Sequence, residues 1–236
     1  MKPLISSLFI SKNAEELPLL RQFCAEQHIA FHAQSLLQFE GVPFELQHPF
    51  DIVFFSSIRA AAFFLSQSTV GYADITCVGQ KTAQKLEALG HIPTFVGHQT
   101  GNPSQVALDF RTYVGQRRVL IPCSDISART IAKALPTDQV EEVVVYRTIA
   151  KSVDVPTCDV YVFTSPSSVD AFLMQNEKPL GKVIAWGDTT SARLHEFGIE
   201  VSKILKTASE EEVVEVLQGN LEGSPFLQGY SLCITE

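Results

Sequence analysis

Small hydroxyl residues gather at four points of the sequence, each at the end of an apolar run: Ser56-Ser57, Gly79 to Thr82, Thr164 to Ser168 and Gly187 to Ser191. A turn from a strand into a helix leaves the first N–H groups of the helix without intrahelical partners. Hydroxyls placed beside them make a seat for a carboxylate or a phosphate. In Asp159 to Ser168 the apolar run Val160-Tyr161-Val162-Phe163 ends in Thr164-Ser165-Pro166-Ser167-Ser168, with Ser165 suited to cap a helix and Pro166 to its first position. For a single turn the plainer reading is stronger: an ordinary N-cap, contributing about 1 kcal/mol to its helix. Four such turns at one sheet edge favour a ligand with several carboxylates. The candidate binding residues are Ser56, Ser57, Gly79, Thr82, Thr164, Ser165, Ser167, Ser168, Gly187, Thr189 and Thr190.

Other chemistry is sparser. Tyr146 ends a strand in a Val-Tyr-Arg-Thr context, where a phenol can donate a hydrogen bond or a proton; the competing reading is an amphipathic side chain packed at a domain edge. Arg59, Lys81 and Arg147 are candidate carboxylate partners or simply solvated charges, and Trp186 is core or the wall of a cleft. No G-x-G-x-x-G, P-loop or G-x-S-x-G motif is present, so a dinucleotide, a P-loop nucleotide and a hydrolase elbow are not indicated. The histidines (His28, His32, His48, His91, His98, His195) make no H-x-x-x-H or H-x-E motif within one element, so no metal site is signalled.

The elements that must position these turns come in two sets. Asp51 to Ser57 resembles Asp159 to Ser165 at an ungapped offset of 108 residues, and the same offset pairs Phe64 with Phe172, Gly79 with Gly187, Thr82 with Thr190 and Gly90 with Gly198. One offset holding through several motifs marks a duplicated half-chain. Strands are expected at 4–10, 52–55, 75–78, 93–96, 118–121, 142–147, 159–163, 183–186 and 200–205, with 29–39 extended. Helices are expected at 14–27, 58–67, 81–89, 104–113, 127–134, 167–175, 189–197 and 209–218, with Gly90 just past a helix end. Alternation of this kind means an α/β fold of two similar doubly wound parallel sheets, with ligands beyond the carboxyl ends of the strands. Residues 219–236, with the apolar stretch Tyr230 to Ile234, have no counterpart in the first copy.

Composition narrows the partners. The chain has 236 residues, 45% apolar, and a formal net charge of −8 with no Lys/Arg run, which argues against nucleic acid. No apolar run reaches membrane-spanning length, and Leu4 to Ile10 reads as a first strand rather than a signal sequence. Five scattered cysteines without a C-x-x-C pair suit reduced thiols in the cytoplasm.

The ordered set Phe54-Phe55-Ser56-Ser57, Val78 to Ala83, Leu120 to Cys123, Val145 to Thr148, Phe163 to Ser168 and Gly187 to Ala192 resembles the uroporphyrinogen-III synthase family over about residues 50 to 218. The resemblance implies two lobes, 1–38 with 148–236 and 39–147, joined by a two-stranded linker around an active-site cleft. It implies cyclisation of hydroxymethylbilane, whose eight carboxylates suit the four turns, to uroporphyrinogen III. Ring D is inverted and water lost, through an azafulvene and a spiro-pyrrolenine, without a cofactor. On that pattern Tyr146 assists departure of the hydroxyl, while Thr82, Thr164 and Thr190 bind carboxylates or orient rings. Ser11-Lys12 stands where many members carry an Arg-containing turn. The protein is expected to be a cytoplasmic monomer. A non-catalytic two-lobed binder of an anionic small molecule or tetrapyrrole would use the same turns, as would a scaffold that has lost activity.

Overall fold

In the computed structural model the residues described are 5–46, 48–69, 71, 73–98 and 103–221. In chain order they form β1 (Ser7–Ile10), α1 (Pro18–Glu26), β2 (Ala30–Ala33), β3 (Leu37–Gly41), β4 (Ile52–Phe55), α2 (Ile58–Leu65), β5 (Asp74–Cys77), α3 (Gln80–Ala88), β6 (Phe95–Val96), α4 (Pro103–Val114), β7 (Val119–Ser124) and β8 (Val140–Ala150). There follow β9 (Val160–Phe163), α5 (Pro166–Leu173), β10 (Lys182–Ala185), α6 (Asp188–Glu196), β11 (Lys203–Ile204) and α7 (Glu210–Leu221). The chain divides into two compact units: unit 1, residues 1–38 with 150–236, and unit 2, residues 39–149.

Unit 1 is built on the sheet β11-β10-β9-β1-β2, and unit 2 on β3-β8-β7-β4-β5-β6. The pairs β1–β2, β1–β9, β9–β10 and β10–β11, and the pairs β4–β5, β4–β7, β5–β6 and β7–β8, are parallel. The central strands β4 and β9 are buried at every position because helices cover both sheet faces, which is why each reads as an unbroken apolar run. The chain passes between the units within β3 and β8, neighbours in one sheet.

The duplication holds element by element and is permuted in its connections. β4, α2, β5, α3 and β6 recur as β9, α5, β10, α6 and β11 at the 108-residue offset, and α4 recurs as α7 one residue short of it. The place of β7 and β8 in unit 2 is taken in unit 1 by β1 and β2, from the other end of the chain. The strand starts are pinned alike. Asp51 Oδ2 accepts the Arg118 N–H at 2.8 Å, while Asp159 Oδ2 accepts the Ser6 and Ser7 N–H groups at 2.7 and 3.0 Å and both serine hydroxyls.

Local chemistry sets the helix ends. Gly90 (φ 84°) and Gly198 (φ 66°) take the left-handed conformation directly after Leu89 and Phe197, the C-cap residues of α3 and α6. The following residues donate back into the last turn, His91 N–H to Leu86 O and Ile199 N–H to Leu194 O, at 2.9 and 3.0 Å.

Some expected elements form differently. The helix expected at 127–134 shrinks to a 3₁₀ turn at Ala132–Ala134: Arg129 sits at φ 58°, outside the helical region, and Pro136 follows closely. The expected strand 200–205 contracts to two residues, and the extended stretch 29–39 divides into β2 and β3. Tyr230 to Ile234 and Cys233 lie outside the described residues.

Candidate functional site

All four hydroxyl-rich turns stand at carboxyl ends of central strands: after β4 and β5 in unit 2, and after β9 and β10 in unit 1. They are of two kinds. After β4, Ser57 caps α2, its Oγ accepting the Ala60 N–H at 3.1 Å, and Ser56 is exposed. After β9, Ser165 and Ser168 form a reciprocal capping box on α5. Ser168 Oγ donates to the Ser165 carbonyl at 2.7 Å and receives the Ser11 hydroxyl at 3.0 Å. The Thr164 N–H donates to Ser11 Oγ at 2.9 Å, and its hydroxyl to the Ser11 carbonyl at 3.0 Å. Ser165 and Ser167 share a hydrogen bond at 3.1 Å. The Ser11, Thr164 and Ser168 hydroxyls are therefore committed to joining the ends of β1 and β9 to α5, and the Ser165 and Ser167 hydroxyls bond within the start of α5. Ser11 holds that junction together, a role its isolated position in the sequence does not disclose.

The turns after β5 and β10 are open. Gly79 and Gly187 occupy the N-cap positions of α3 and α6, and neither helix has a side-chain cap. Both glycines are extended (φ 175° and −179°), so the backbone needs no special residue there. What glycine supplies is the bare end itself, and a Cβ on Gly187 would meet nothing within 4 Å. Thr82 and Thr190 sit three residues on, 8% and 2% exposed, and neither hydroxyl has a hydrogen-bond partner among the described residues. Because a helical Cα–Cβ bond leans toward the N-terminus, each hydroxyl lies beside the first-turn N–H groups. Neither hydroxyl oxygen is among the buried unsatisfied atoms of the described residues, so both reach solvent and can donate to an acceptor there. Thr189 is exposed beside the second of them.

Tyr146, on β8, is 7% exposed and packed between aromatics: its ring stacks on Phe63 at 5.2 Å and meets Phe39 edge-on at 6.0 Å. Its phenol has no hydrogen-bond partner among the described residues. The Arg59 guanidinium lies 3.5 Å from the centre of the Phe39 ring, while Lys81 and Arg147 are exposed. In unit 1, Lys12 follows β1 and stands 5.7 Å from the ring centre of the half-buried Trp186, which follows β10. Sequence alone does not bring Lys12 and Trp186 together, because strands from opposite ends of the chain carry them.

The surrounding electrostatics mark structure more than chemistry. Burial alone would raise the Asp159 carboxyl, but the hydrogen bonds from Ser6 and Ser7 outweigh it and hold it below the usual carboxylate range. Burial pushes the Cys24 and Cys123 thiols up to about 11, and Glu142 adds to the rise at Cys123, so neither is a ready nucleophile. A surface concavity lined by Lys203, Lys206, Glu211, Glu212 and Glu215 carries more carboxylates than ammonium groups, the wrong sign for a polyanion.

The family model described as uroporphyrinogen-III synthase HemD matches residues 22–215, and the chain belongs to that family. Uroporphyrinogen-III synthetase from Helicobacter pylori shares the fold with a TM-score of 0.67 at 19% identity, over 92% of this chain and 100% of that one. A mutant uroporphyrinogen III synthase from the extremely thermophilic bacterium Thermus thermophilus does so with a TM-score of 0.62 at 14% identity, over 92% and 98%. No curated protein sequence gives a match.

Proposed function

We infer that this member of the uroporphyrinogen-III synthase family, a cyclising lyase, closes hydroxymethylbilane to uroporphyrinogen III, and that the open end of α3 in unit 2 and that of α6 in unit 1 are each a seat for a substrate carboxylate. The observation that supports the placement is the pair of unpartnered, solvent-reaching hydroxyls of two otherwise buried residues, Thr82 and Thr190, each in the first turn of a helix without a side-chain cap. A carboxylate arriving there accepts from first-turn N–H groups and from the threonine hydroxyl together, and gains the partial positive charge of the helix end. This reconciles a polyanionic ligand with a chain of net charge −8: the attraction comes from backbone groups rather than from a basic patch. Ser57, Ser165 and Ser168 shape their turns, and their hydroxyls are already engaged.

In the reaction the hydroxyl leaves the ring A hydroxymethyl group, and the resulting azafulvene is attacked by the substituted carbon of ring D. The spiro-pyrrolenine fragments and recloses with ring D inverted. Tyr146 is the residue proposed to assist departure of the hydroxyl. Its phenol keeps a free donor on a ring fixed by Phe63 and Phe39, so little freedom is lost on engaging the leaving group. The remaining demand is geometric, bringing the substituted carbon of ring D to the cation before the unsubstituted one, and fixed carboxylates supply it. The proposed setting is a cytoplasmic monomer acting without nucleic acid, membrane or cofactor. Among the described residues no helix is long and apolar enough to cross a membrane.

The test is Tyr146→Phe, assayed by isomer analysis of the oxidised product. Slower formation of the type III isomer at an unchanged melting temperature supports the role. Parent-like turnover removes Tyr146 from the chemistry.

A further inference from the structure

The two copies differ at their open ends in one respect. Under the 108-residue offset, the residue before the cap glycine is Val78 in unit 2 and Trp186 in unit 1. The copies differ again on the neighbouring strand. β1 pairs β9 as Leu8 with Val160, and β7 pairs β4 as Val119 with Ile52, so strand register sets Lys12 of unit 1 against Cys123 of unit 2. Cys123 is buried, whereas Lys12 is a half-buried ammonium standing over the Trp186 ring. Unit 1 thus carries an aromatic plane and a β1-borne cation at this edge, with Asp188 in the first turn of α6, whereas unit 2 has no aromatic there and carries its cation, Lys81, in the first turn of α3.

The indole is anchored from below. Its backbone N–H donates to the Phe163 carbonyl at 2.9 Å, and the side chain packs on the buried cluster of Leu8, Ile10, Val162 and Ile184 while remaining partly open. Lys12 has two present partners, the ring and the Glu16 carboxylate at 3.6 Å. Both are exchangeable: an exposed ion pair four residues apart holds a lysine weakly, and the flexible stem can carry the ammonium to another carboxylate. The Thr190 hydroxyl lies on the helix that starts directly after Trp186 and its cap glycine. Aromatic plane, cation and unpartnered hydroxyl together match a pyrrole ring bearing carboxylates.

We propose that Trp186 and Lys12 form a ring-specific subsite in unit 1, where one pyrrole of the linear tetrapyrrole stacks on the indole and one of its carboxylates pairs with the Lys12 ammonium. The proposal rests on the functional reading above and deepens it. The pair Trp186 and Lys12 has no counterpart in unit 2, where Val78 and Cys123 stand at the equivalent positions. Trp186 acts by binding and orientation, so its loss is read mainly in KM.

The experiment compares the full-length parent with Trp186→Val, which installs the residue of the other copy, Trp186→Phe, which keeps a ring, and Lys12→Gln. Each is assayed with freshly generated hydroxymethylbilane by isomer separation, after melting has been recorded. Stacking of a planar ring on an aromatic side chain is worth enough to predict about a tenfold rise in KM for Trp186→Val, with kcat much less affected. Trp186→Phe restores most of the affinity. Lys12→Gln raises KM about fivefold, with a salt dependence weaker than the parent's. Trp186 is also the only tryptophan of the chain, so its fluorescence reports this subsite alone, and colourless hydroxymethylbilane should change it at concentrations near KM. A Trp186→Val protein whose KM stays within about twofold of the parent's, or a Phe variant as impaired as Val, overturns the subsite. If Val unfolds the chain, Phe and Lys12→Gln decide alone: parent-like KM in Lys12→Gln, with no fluorescence response in the parent, overturns it equally. A parent that yields only the type I isomer overturns the functional reading and this proposal with it, whereas a parent that yields type III while the variants match it overturns only the subsite.

Discussion

Replacing Gly187 by serine should move stability and activity in opposite directions. Gly187 has φ −179° and ψ 177°, close to the −162° and 158° that Ser165 already adopts as a cap, and its Cβ direction is empty to 4 Å. A serine there fits without strain and can accept a first-turn N–H of α6. Exchanging glycine for a residue that suits the same backbone stabilises by roughly 0.4–1 kcal/mol through the unfolded chain. A serine cap adds a few tenths over glycine. The sum, about 1 kcal/mol, corresponds to a melting temperature about 2–4 °C higher in a chain of this size. The same hydroxyl, however, takes an N–H that the proposal gives to a substrate carboxylate. Losing a hydrogen bond to a charged group, about 1.5–3 kcal/mol, raises KM by about 10- to 100-fold. Gly187→Ala separates the two effects, since it gains the backbone contribution but leaves the N–H groups bare, and it should keep most of the parent's KM. Melting by circular dichroism and kinetics by isomer analysis are the assays. A Gly187→Ser protein that is more stable and still has the parent's KM would refute the carboxylate seat at α6.

Three further outcomes are expected. Thr190→Val and Thr82→Val remove hydroxyls that reach solvent and have no protein partner, so stability should stay within about 0.5 kcal/mol of the parent's or rise, while KM increases about fivefold; a stability loss without a KM change would mark them as structural. Tyr146→Phe should lower kcat about tenfold, the worth of one hydrogen bond to a leaving oxygen, and leave the melting temperature in place. Asp159→Asn should cost about 1 kcal/mol at pH 7. Because the folded carboxyl sits below its unfolded value, its stabilisation is complete above pH ~4 and is lost as the pH falls through the lower folded value. Stability of the parent should therefore fall more steeply below pH ~4 than that of Asp159→Asn, and parallel acid-unfolding curves would contradict that role for Asp159.

The α/β alternation and the duplication are legible in the sequence because buried parallel strands are unbroken apolar runs and because Gly79, Thr82 and Gly90 recur with fixed spacing. The end of α3 is legible too, since only the left-handed position after it requires Gly90. The difference between capped and open turns is not. Ser57, Ser165 and Gly187 all precede helices, and only the hydrogen bonds reveal which N–H groups are already taken. Long-range pairing hides the rest. Ser11 meets Thr164 and Ser168, and Lys12 meets Trp186, because β1 enters the sheet beside β9 from more than 150 residues away. The helix expected at 127–134 has the right composition, yet Arg129 adopts a left-handed backbone that composition does not announce.

The most direct measurement of the central claim is the ratio of type III to type I uroporphyrin, after oxidation, when freshly generated hydroxymethylbilane is incubated with and without the protein. Protein-dependent formation of the type III isomer is the predicted result. Type I alone, from protein whose circular dichroism and melting show it folded, would contradict it.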